Sequence, residues 1–321
     1  MKPNLLQIGD VTERMTKRFE QDFTVHRLFD HEHPSLFLLE QGARMDAVAT
    51  DGHHGLTPAP IDYMPNVKIV ASYGVGYDGI DAAGLAEKGI VVTHTPDVLN
   101  DEVANSAMML WFATARALVF NDRYVREGRW AAEGNTPLSQ AIQNQTVGIV
   151  GYGRIGQTIG QRALAFGAEI LYHARSAKEA AGAFCPDLID MAKRSDVLIC
   201  ITPGGPATKH LINENVLNAL GPQGVLVNVS RGSVVDDQAL IAALQDGRVG
   251  GAGLDVFEDE PNVPQALREM DNVTLTPHIG SATVQTRQAM GDLVCDNLSS
   301  FIRDGTVISP VPECAGIARK A

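Results

Sequence analysis

Three side chains in the last third of the chain combine types that can do proton and carboxylate chemistry, and each closes an apolar run. They are Arg231 in Asn228-Val-Ser-Arg-Gly232, Glu260 in Asp255-Val-Phe-Glu-Asp-Glu-Pro261 and His278 in Thr276-Pro-His-Ile-Gly-Ser281. A guanidinium is always charged and grips a planar carboxylate through two parallel N–H donors. An imidazole titrates near neutrality, so it can give a proton to a carbonyl oxygen or take one from an alcohol. A carboxylate at the far ring nitrogen fixes the tautomer and favours the protonated form. Glu260 and His278 are too far apart in sequence to meet on one helix, so their pairing requires the fold. Glu258 and Asp259 compete for the same role; Glu260 is chosen because it stands directly before Pro261, which stiffens the turn.

Upstream lies Gly151-Tyr-Gly-Arg-Ile-Gly156, preceded by an apolar strand pattern and followed by a helical one. That context fits a dinucleotide site. Gly151 allows the tight turn, Gly153 lets a pyrophosphate approach the backbone, and Gly156 lets the helix pack close to the sheet. The helix N-terminus adds N–H groups and the positive end of its dipole. About 20 residues on, where a site for NAD places an acid to bind the ribose hydroxyls, the chain reads Leu171-Tyr-His-Ala-Arg-Ser176. No acid is present; Arg175 and Ser176 offer a cation and a hydroxyl instead. Both suit a 2′-phosphate, so NADPH is expected as the preferred cofactor and NADH as the lesser one. A fourth element, Ser72-Tyr-Gly-Val-Gly-Tyr77, puts two glycines at a strand end, a pattern that exposes successive N–H groups as an anion nest.

The elements that must position these groups alternate between strand and helix patterns. Strands are expected at Leu5–Ile8, Ala47–Thr50, Val67–Ser72 and Ile90–Thr93, with a helix over Asp81–Lys88 that Asp81 caps and Gly89 ends. One long helix is expected from Asp101 to Glu127, stopped by Gly128, and then a loop over Trp130–Ser139. A second series follows, with strands at Val147–Val150, Glu169–His173, Asp196–Ile201, Val225–Val229, Val249–Leu254 and Asn272–Thr276, and a helix over Arg154–Phe166. A helix from Val284 to Arg303 can carry the chain back to the first series. This rhythm predicts an α/β protein with two Rossmann-like domains on parallel sheets. The first domain is discontinuous and flavodoxin-like, residues 1–98 with 285–321; the second, residues 99–284, binds the dinucleotide.

Bulk properties exclude some classes. Of 321 residues, 45% are hydrophobic and 20% charged, as in ordinary globular proteins. The net charge of −12 argues against nucleic acid or an anionic membrane surface as partner, since both call for basic patches. Four cysteines, at 185, 200, 295 and 314, form no CxxC pair and suit a reducing compartment. No run approaches the length of a membrane span, and the N-terminus lacks the apolar core of a signal peptide. A cytoplasmic location is the expectation, and the chemistry calls for no metal.

With four elements in this order, the chain resembles the D-isomer-specific 2-hydroxyacid dehydrogenases, most of all the glyoxylate/hydroxypyruvate reductases. The stretches His94-Thr-Pro-Asp-Val-Leu-Asn-Asp-Glu-Val-Ala104 and Tyr172-His-Ala-Arg-Ser176 look like theirs. The resemblance implies reduction of small 2-keto acids, glyoxylate or hydroxypyruvate, to D-2-hydroxy acids in the cleft between the domains. In that scheme Arg231 binds the substrate, His278 is the acid/base and Glu260 its partner, while Val75 and Gly76 offer N–H groups to the substrate carboxylate. Arg154 and Ile155 would cap the pyrophosphate, and Thr202, Pro203, Val229, Asp255, His278 and Gly280 would belong to the nicotinamide half of the cofactor site. Thr202-Pro-Gly-Gly-Pro-Ala207 is more glycine-rich than the loop the family carries there. A homodimer through the cofactor domains is implied, and Trp130 is expected near its contact. Two alternatives stand beside this one: a reductase of aromatic 2-keto acids such as hydroxyphenylpyruvate, and a dinucleotide-sensing binding protein resembling the co-repressors that share this fold.

Overall fold

The computed structural model describes residues 2–320 and divides the chain into two compact units. One comprises Met1–Leu99 with Thr283–Ala321, the other Asn100–Ala282. Positions 1 and 321, which open and close the expected first domain, lie outside the described residues.

The first unit is built on a parallel sheet of β1 (Asn4–Gln7), β2 (Thr24–Arg27), β3 (Ala47–Asp51), β4 (Ile69–Tyr73) and β5 (Val91–Thr93), in the order β2-β1-β3-β4-β5. That is the flavodoxin-like order. Every residue of β4 is buried, as an apolar run covered on both faces requires. The helix over Ala82–Glu87 starts at Asp81, whose carboxylate accepts from Gly84 N–H. The helix Val284–Asp304 brings the chain end back onto this sheet. There Tyr73 donates its hydroxyl to Arg287 O, 2.9 Å away, and Arg18 reaches Asp296 at 2.6 Å from the helix Glu13–Asp22.

The second unit carries a seven-stranded parallel sheet: β6 (Thr146–Val150), β7 (Glu169–His173), β8 (Ala183–Phe184), β9 (Val197–Cys200), β10 (Val225–Asn228), β11 (Gly251–Leu254) and β12 (Val273–Leu275), ordered β12-β11-β10-β9-β6-β7-β8. In chain order within the unit this is 3-2-1-4-5-6-7, the doubly wound Rossmann arrangement with one strand added. Strands β9, β10 and β11 are buried throughout. Their register sets His173, Val150, Cys200, Asn228, Leu254 and Leu275 in one row across the carboxyl edge of the sheet.

The expected single helix over 101–127 is two helices, Asn100–Ala115 and Leu118–Arg126, bent by 60°. Ala117 takes a left-handed conformation at φ 48°, which breaks the i→i−4 ladder. The Asn121 side-chain amide donates to the carbonyls of Arg116 and Ala117 at the break. No glycine or proline marks this break, so the apolar period runs through it. The loop expected over 130–139 also begins as a helical turn, Arg129–Glu133, held by the Arg129–Glu133 ion pair at 2.9 Å. Among the described residues no single helix is long and apolar enough to cross a membrane.

Candidate active site

Most of the residues singled out in the second unit stand one to three positions beyond the row that ends the strands; Arg154, Ile155 and Gly156 open the fingerprint helix, and Glu260 and Gly280 lie further along the loops that follow β11 and β12. Gly151 follows β6, Arg175 and Ser176 follow β7, and Thr202 and Pro203 follow β9. Val229 and Arg231 follow β10, Asp255 follows β11, and His278 follows β12. This is the edge of an open parallel sheet where ligands collect.

The three fingerprint glycines meet three different constraints. Gly151 sits at φ +97°, and a Cβ there would lie 2.8 Å from Ile201 O. A Cβ on Gly156 would come within 2.2 Å of Gly151 O, so the helix Arg154–Leu164 lies too close to the turn for any side chain. At Gly153 a Cβ would meet nothing within 4 Å, which leaves the backbone open to a ligand. No side chain caps this helix and no acid stands in its first turn, so the positive end of its dipole suits an anion. The residues present therefore fit a pyrophosphate.

Beyond β7, Arg175 and Ser176 are exposed, and Lys178 joins them with its Nζ 3.4 Å from Ser176 Oγ. Two stacked tyrosines hold this segment. The rings of Tyr152 and Tyr172 lie 4.1 Å apart at 11°. The Tyr172 hydroxyl accepts from Lys178 N–H at 2.8 Å and donates to Lys178 O at 3.1 Å, and Tyr152 donates to Ala181 O. Lys178 escaped the sequence reading; its signal was a second cation three residues past Arg175.

The Arg231 turn is clamped by Asn228, which is 1% exposed inside its apolar strand. Its Oδ1 accepts from Ser230 N–H and from the Ser230 hydroxyl at 3.1 and 2.6 Å, and its Nδ2 donates to Arg231 O at 3.0 Å. Arg231 itself donates from Nη1 to Ser230 O at 2.8 Å. A Cβ on Gly232 would fall 1.8 Å from the carbonyl carbon of Phe257, so the turn after Arg231 rests directly on the backbone of the Glu260 loop.

Of the three acids in that loop, Glu260 reaches the histidine. Its Oε2 lies 2.8 Å from His278 Nδ1, while Oε1 accepts from Phe257 N–H at 3.0 Å. Glu258 pairs instead with His210 Nε2 at 3.1 Å. A carboxylate accepts and does not donate, so His278 carries a proton on Nδ1, and Nε2 is the ring nitrogen turned away from Glu260. His278 sits at φ 52° with its N–H on Asp255 O, 2.8 Å away. Asp255, 2% exposed, holds the rest of this turn. It accepts from the Thr276 hydroxyl and Ile279 N–H at 2.7 Å each, and from Gly280 N–H at 2.8 Å. Burial pushes the Asp255 carboxyl up, against the pull of these donors. Thr202 is buried and donates its hydroxyl to Pro203 O at 2.8 Å. Val229 is buried next to Asn228 at the same edge.

Val75 and Gly76 lie in the first unit, on the turn that leaves β4, and both are half-buried.

Residues 108–280 match the family described as D-isomer specific 2-hydroxyacid dehydrogenase, NAD binding domain. Over 308 residues the chain is 41% identical to glyoxylate/hydroxypyruvate reductase A of Arabidopsis thaliana and 40% identical to hydroxyphenylpyruvate reductase of Plectranthus scutellarioides. Each alignment covers 96% of this chain and 98% of the relative. The crystal structure of an NADPH-dependent glyoxylate/hydroxypyruvate reductase from Sinorhizobium meliloti, in complex with NADP and malonate, superposes with a TM-score of 0.93 at 44% identity, covering 100% of this chain and 99% of that one. This chain belongs to the D-isomer-specific 2-hydroxyacid dehydrogenases and is an NAD(P)-dependent oxidoreductase acting between 2-keto and 2-hydroxy acids.

Proposed function

We propose that the protein reduces small, hydrophilic 2-keto acids, glyoxylate and hydroxypyruvate, to D-2-hydroxy acids with NADPH as the preferred cofactor. The observation that carries this reading is the 2.8 Å contact between Glu260 and His278, two strands along the same sheet edge from Arg231. Bound NADPH supplies the hydride. Arg231 holds the keto acid by its carboxylate and carbonyl, and the N–H groups of Val75 and Gly76 bind the same carboxylate. His278 gives a proton from Nε2 to the carbonyl oxygen as negative charge grows there. Glu260 keeps Nδ1 protonated and balances the charge of the imidazolium, so that loss of the Nε2 proton leaves the neutral Nδ1–H ring. Asp255 holds the backbone of Ile279 and Gly280, so the histidine turn stays in place.

Support for NADPH comes from Arg175, Ser176 and Lys178, in a segment with no acid at the end of β7, and from the NADPH-dependent Sinorhizobium meliloti relative. Thr202, Pro203, Val229 and Gly280 complete the nicotinamide half in this reading. The relative named hydroxyphenylpyruvate reductase, at 40% identity, makes an aromatic keto acid the second reading. Loss of NADPH absorbance with glyoxylate, hydroxypyruvate, pyruvate and phenylpyruvate decides between them: kcat/KM highest for phenylpyruvate overturns the first. A homodimer is part of the proposal. Trp130 is 59% exposed, and Leu118, Val119 and Val125 of the preceding helix are each more than half exposed, an apolar face that a partner would cover. Light scattering at micromolar concentration should give twice the mass of the 34.4 kDa chain, and a monomer there contradicts the proposal.

A further inference from the structure

Two bonds decide which way the N–H groups of the Gly74-Val75-Gly76 turn face. Thr95 N–H donates to Gly74 O at 2.9 Å, and the ring Nδ1 of His94 lies 2.9 Å from Val75 O. A carbonyl oxygen only accepts, so Nδ1 of His94 carries the proton. In a trans peptide the C=O of one residue and the N–H of the next point to opposite sides of the chain. Drawing Gly74 C=O toward Thr95 therefore turns Val75 N–H the other way. Drawing Val75 C=O toward the His94 ring turns Gly76 N–H away from that ring.

We propose that His94 is a positioning residue for substrate recognition: by holding Val75 O it aims the Gly76 N–H at the keto acid carboxylate. This rests on the reading that Val75 and Gly76 bind that carboxylate. The ring can do so because its own backbone is held from the chain end. His94 N–H donates to Ser309 O at 3.1 Å, and Ser309 Oγ donates to His94 O at 2.6 Å. Asn297, fully buried, donates from Nδ2 to Ser309 Oγ at 2.9 Å, and its Oδ1 accepts from the N–H groups of Ile308 and Ser309 at 2.9 and 3.0 Å. The edge of Tyr77 packs against the His94 ring, with centroids 5.4 Å apart at 89°. The Tyr77 hydroxyl donates to Glu313 Oε2 at 3.1 Å. Burial and that carboxylate push the phenol up to about 12, so it remains a donor at neutral pH. The segment after Gly305 thus has a task beyond closing the fold: through Ser309 and Glu313 it braces the turn that faces substrate.

The test compares KM and kcat for glyoxylate at saturating NADPH in wild type, His94→Phe and His94→Asn. Phenylalanine keeps a ring against Tyr77 but has no donor; asparagine loses the ring but places Nδ2 where Nδ1 stands. His94→Phe should raise KM about five- to tenfold with kcat within about twofold, because the lost bond serves ground and transition states alike. His94→Asn should recover most of that rise. Should His94→Phe fold poorly, His94→Leu is a second variant without a donor and carries the same expectation. Wild-type KM in the donor-free variants, or His94→Asn as impaired as His94→Phe, overturns the inference. The underlying reading has its own control in the wild-type enzyme with NADPH. Oxalate, a carboxylate probe, should slow amide exchange in the peptide spanning 73–78. No slowing there overturns the carboxylate turn itself, whereas slowing with an unchanged KM in His94→Phe overturns only the role of His94.

Discussion

Glu260→Gln keeps the size and shape of the side chain and removes its charge, so it isolates what the carboxylate does for His278. Both Glu260 oxygens face donors: Phe257 N–H at 3.0 Å and His278 Nδ1 at 2.8 Å. An amide has one oxygen and one NH₂ group, and cannot serve both. With its oxygen toward Phe257, the NH₂ faces Nδ1, and the ring must be neutral with its proton on Nε2. With its oxygen toward His278, the NH₂ opposes the Phe257 N–H. A donor facing a donor costs about 1–3 kcal/mol. The lost attraction for the imidazolium is about 4 kcal/mol for unit charges 4 Å apart at an effective dielectric of about 20. The His278 side chain is 46% exposed, however, and solvent screening reduces this second effect to about 1 kcal/mol. The two together come to about 2–4 kcal/mol, or roughly 30- to 1,000-fold in rate.

The assay is the single-turnover rate of NADPH oxidation with saturating glyoxylate, followed from pH 6 to 9. The variant should be slower throughout, because the ring that hands over the proton has lost its counter-charge. NADPH affinity, read from fluorescence, should change little, since Glu260 is not among the residues assigned to the cofactor. A variant rate within about threefold of wild type across that range, less than ~1 kcal/mol, would mean that the pair does not handle the proton.

Two further outcomes follow from charges elsewhere in the second unit. Arg175→Ala should lower kcat/KM with NADPH roughly tenfold, the lower end for a charge-assisted contact at an exposed position, and Lys178→Ala should act in the same direction. NADH kinetics should barely move, and an unchanged NADPH/NADH ratio in both variants would refute the phosphate reading. Asp237, half-buried beside Glu258 and Asp236, has its carboxyl pushed up from 3.8 to about 6, first by burial and then by those two acids. A raised carboxyl favours the folded state while protonated, so its contribution is present below pH 4 and is lost as pH rises through about 6. Asp237→Asn should therefore match wild type in denaturant midpoint at pH 4 and exceed it by about 1–2 kcal/mol at pH 8, after discounting for solvent exposure; a variant less stable at pH 8 would contradict this.

The strands and the chemistry-bearing residues were readable because burial leaves a periodic trace. Glu169–His173 has the same bounds in sequence and structure, and Arg231 and His278 announce themselves as polar residues that end apolar runs. What left no trace was backbone conformation without its usual residue, and hydrogen bonds between distant residues. The break at Ala117 lacks glycine or proline, so the helical period passed straight over it. Pro261 singled out Glu260 among the three acids, but nothing near Glu258 announces its own partner, His210, some fifty residues upstream. Asn228 reads as one more residue in an apolar strand, yet its amide clamps the Arg231 turn.

His278 joins both kinds of hidden information. A side chain other than glycine at φ 52° carries a cost of about 1–2 kcal/mol, and asparagine or glycine would meet the geometry more cheaply. The surrounding bonds sustain it: its N–H reaches Asp255 O, its ring reaches Glu260, and Asp255 holds the next two residues. A turn needed only for folding gains nothing from an imidazole in this conformation. A turn that must present Nε2 at the sheet edge, with Nδ1 on a carboxylate, requires one. The conformation of this residue, like its partners, is what the proposed proton transfer requires.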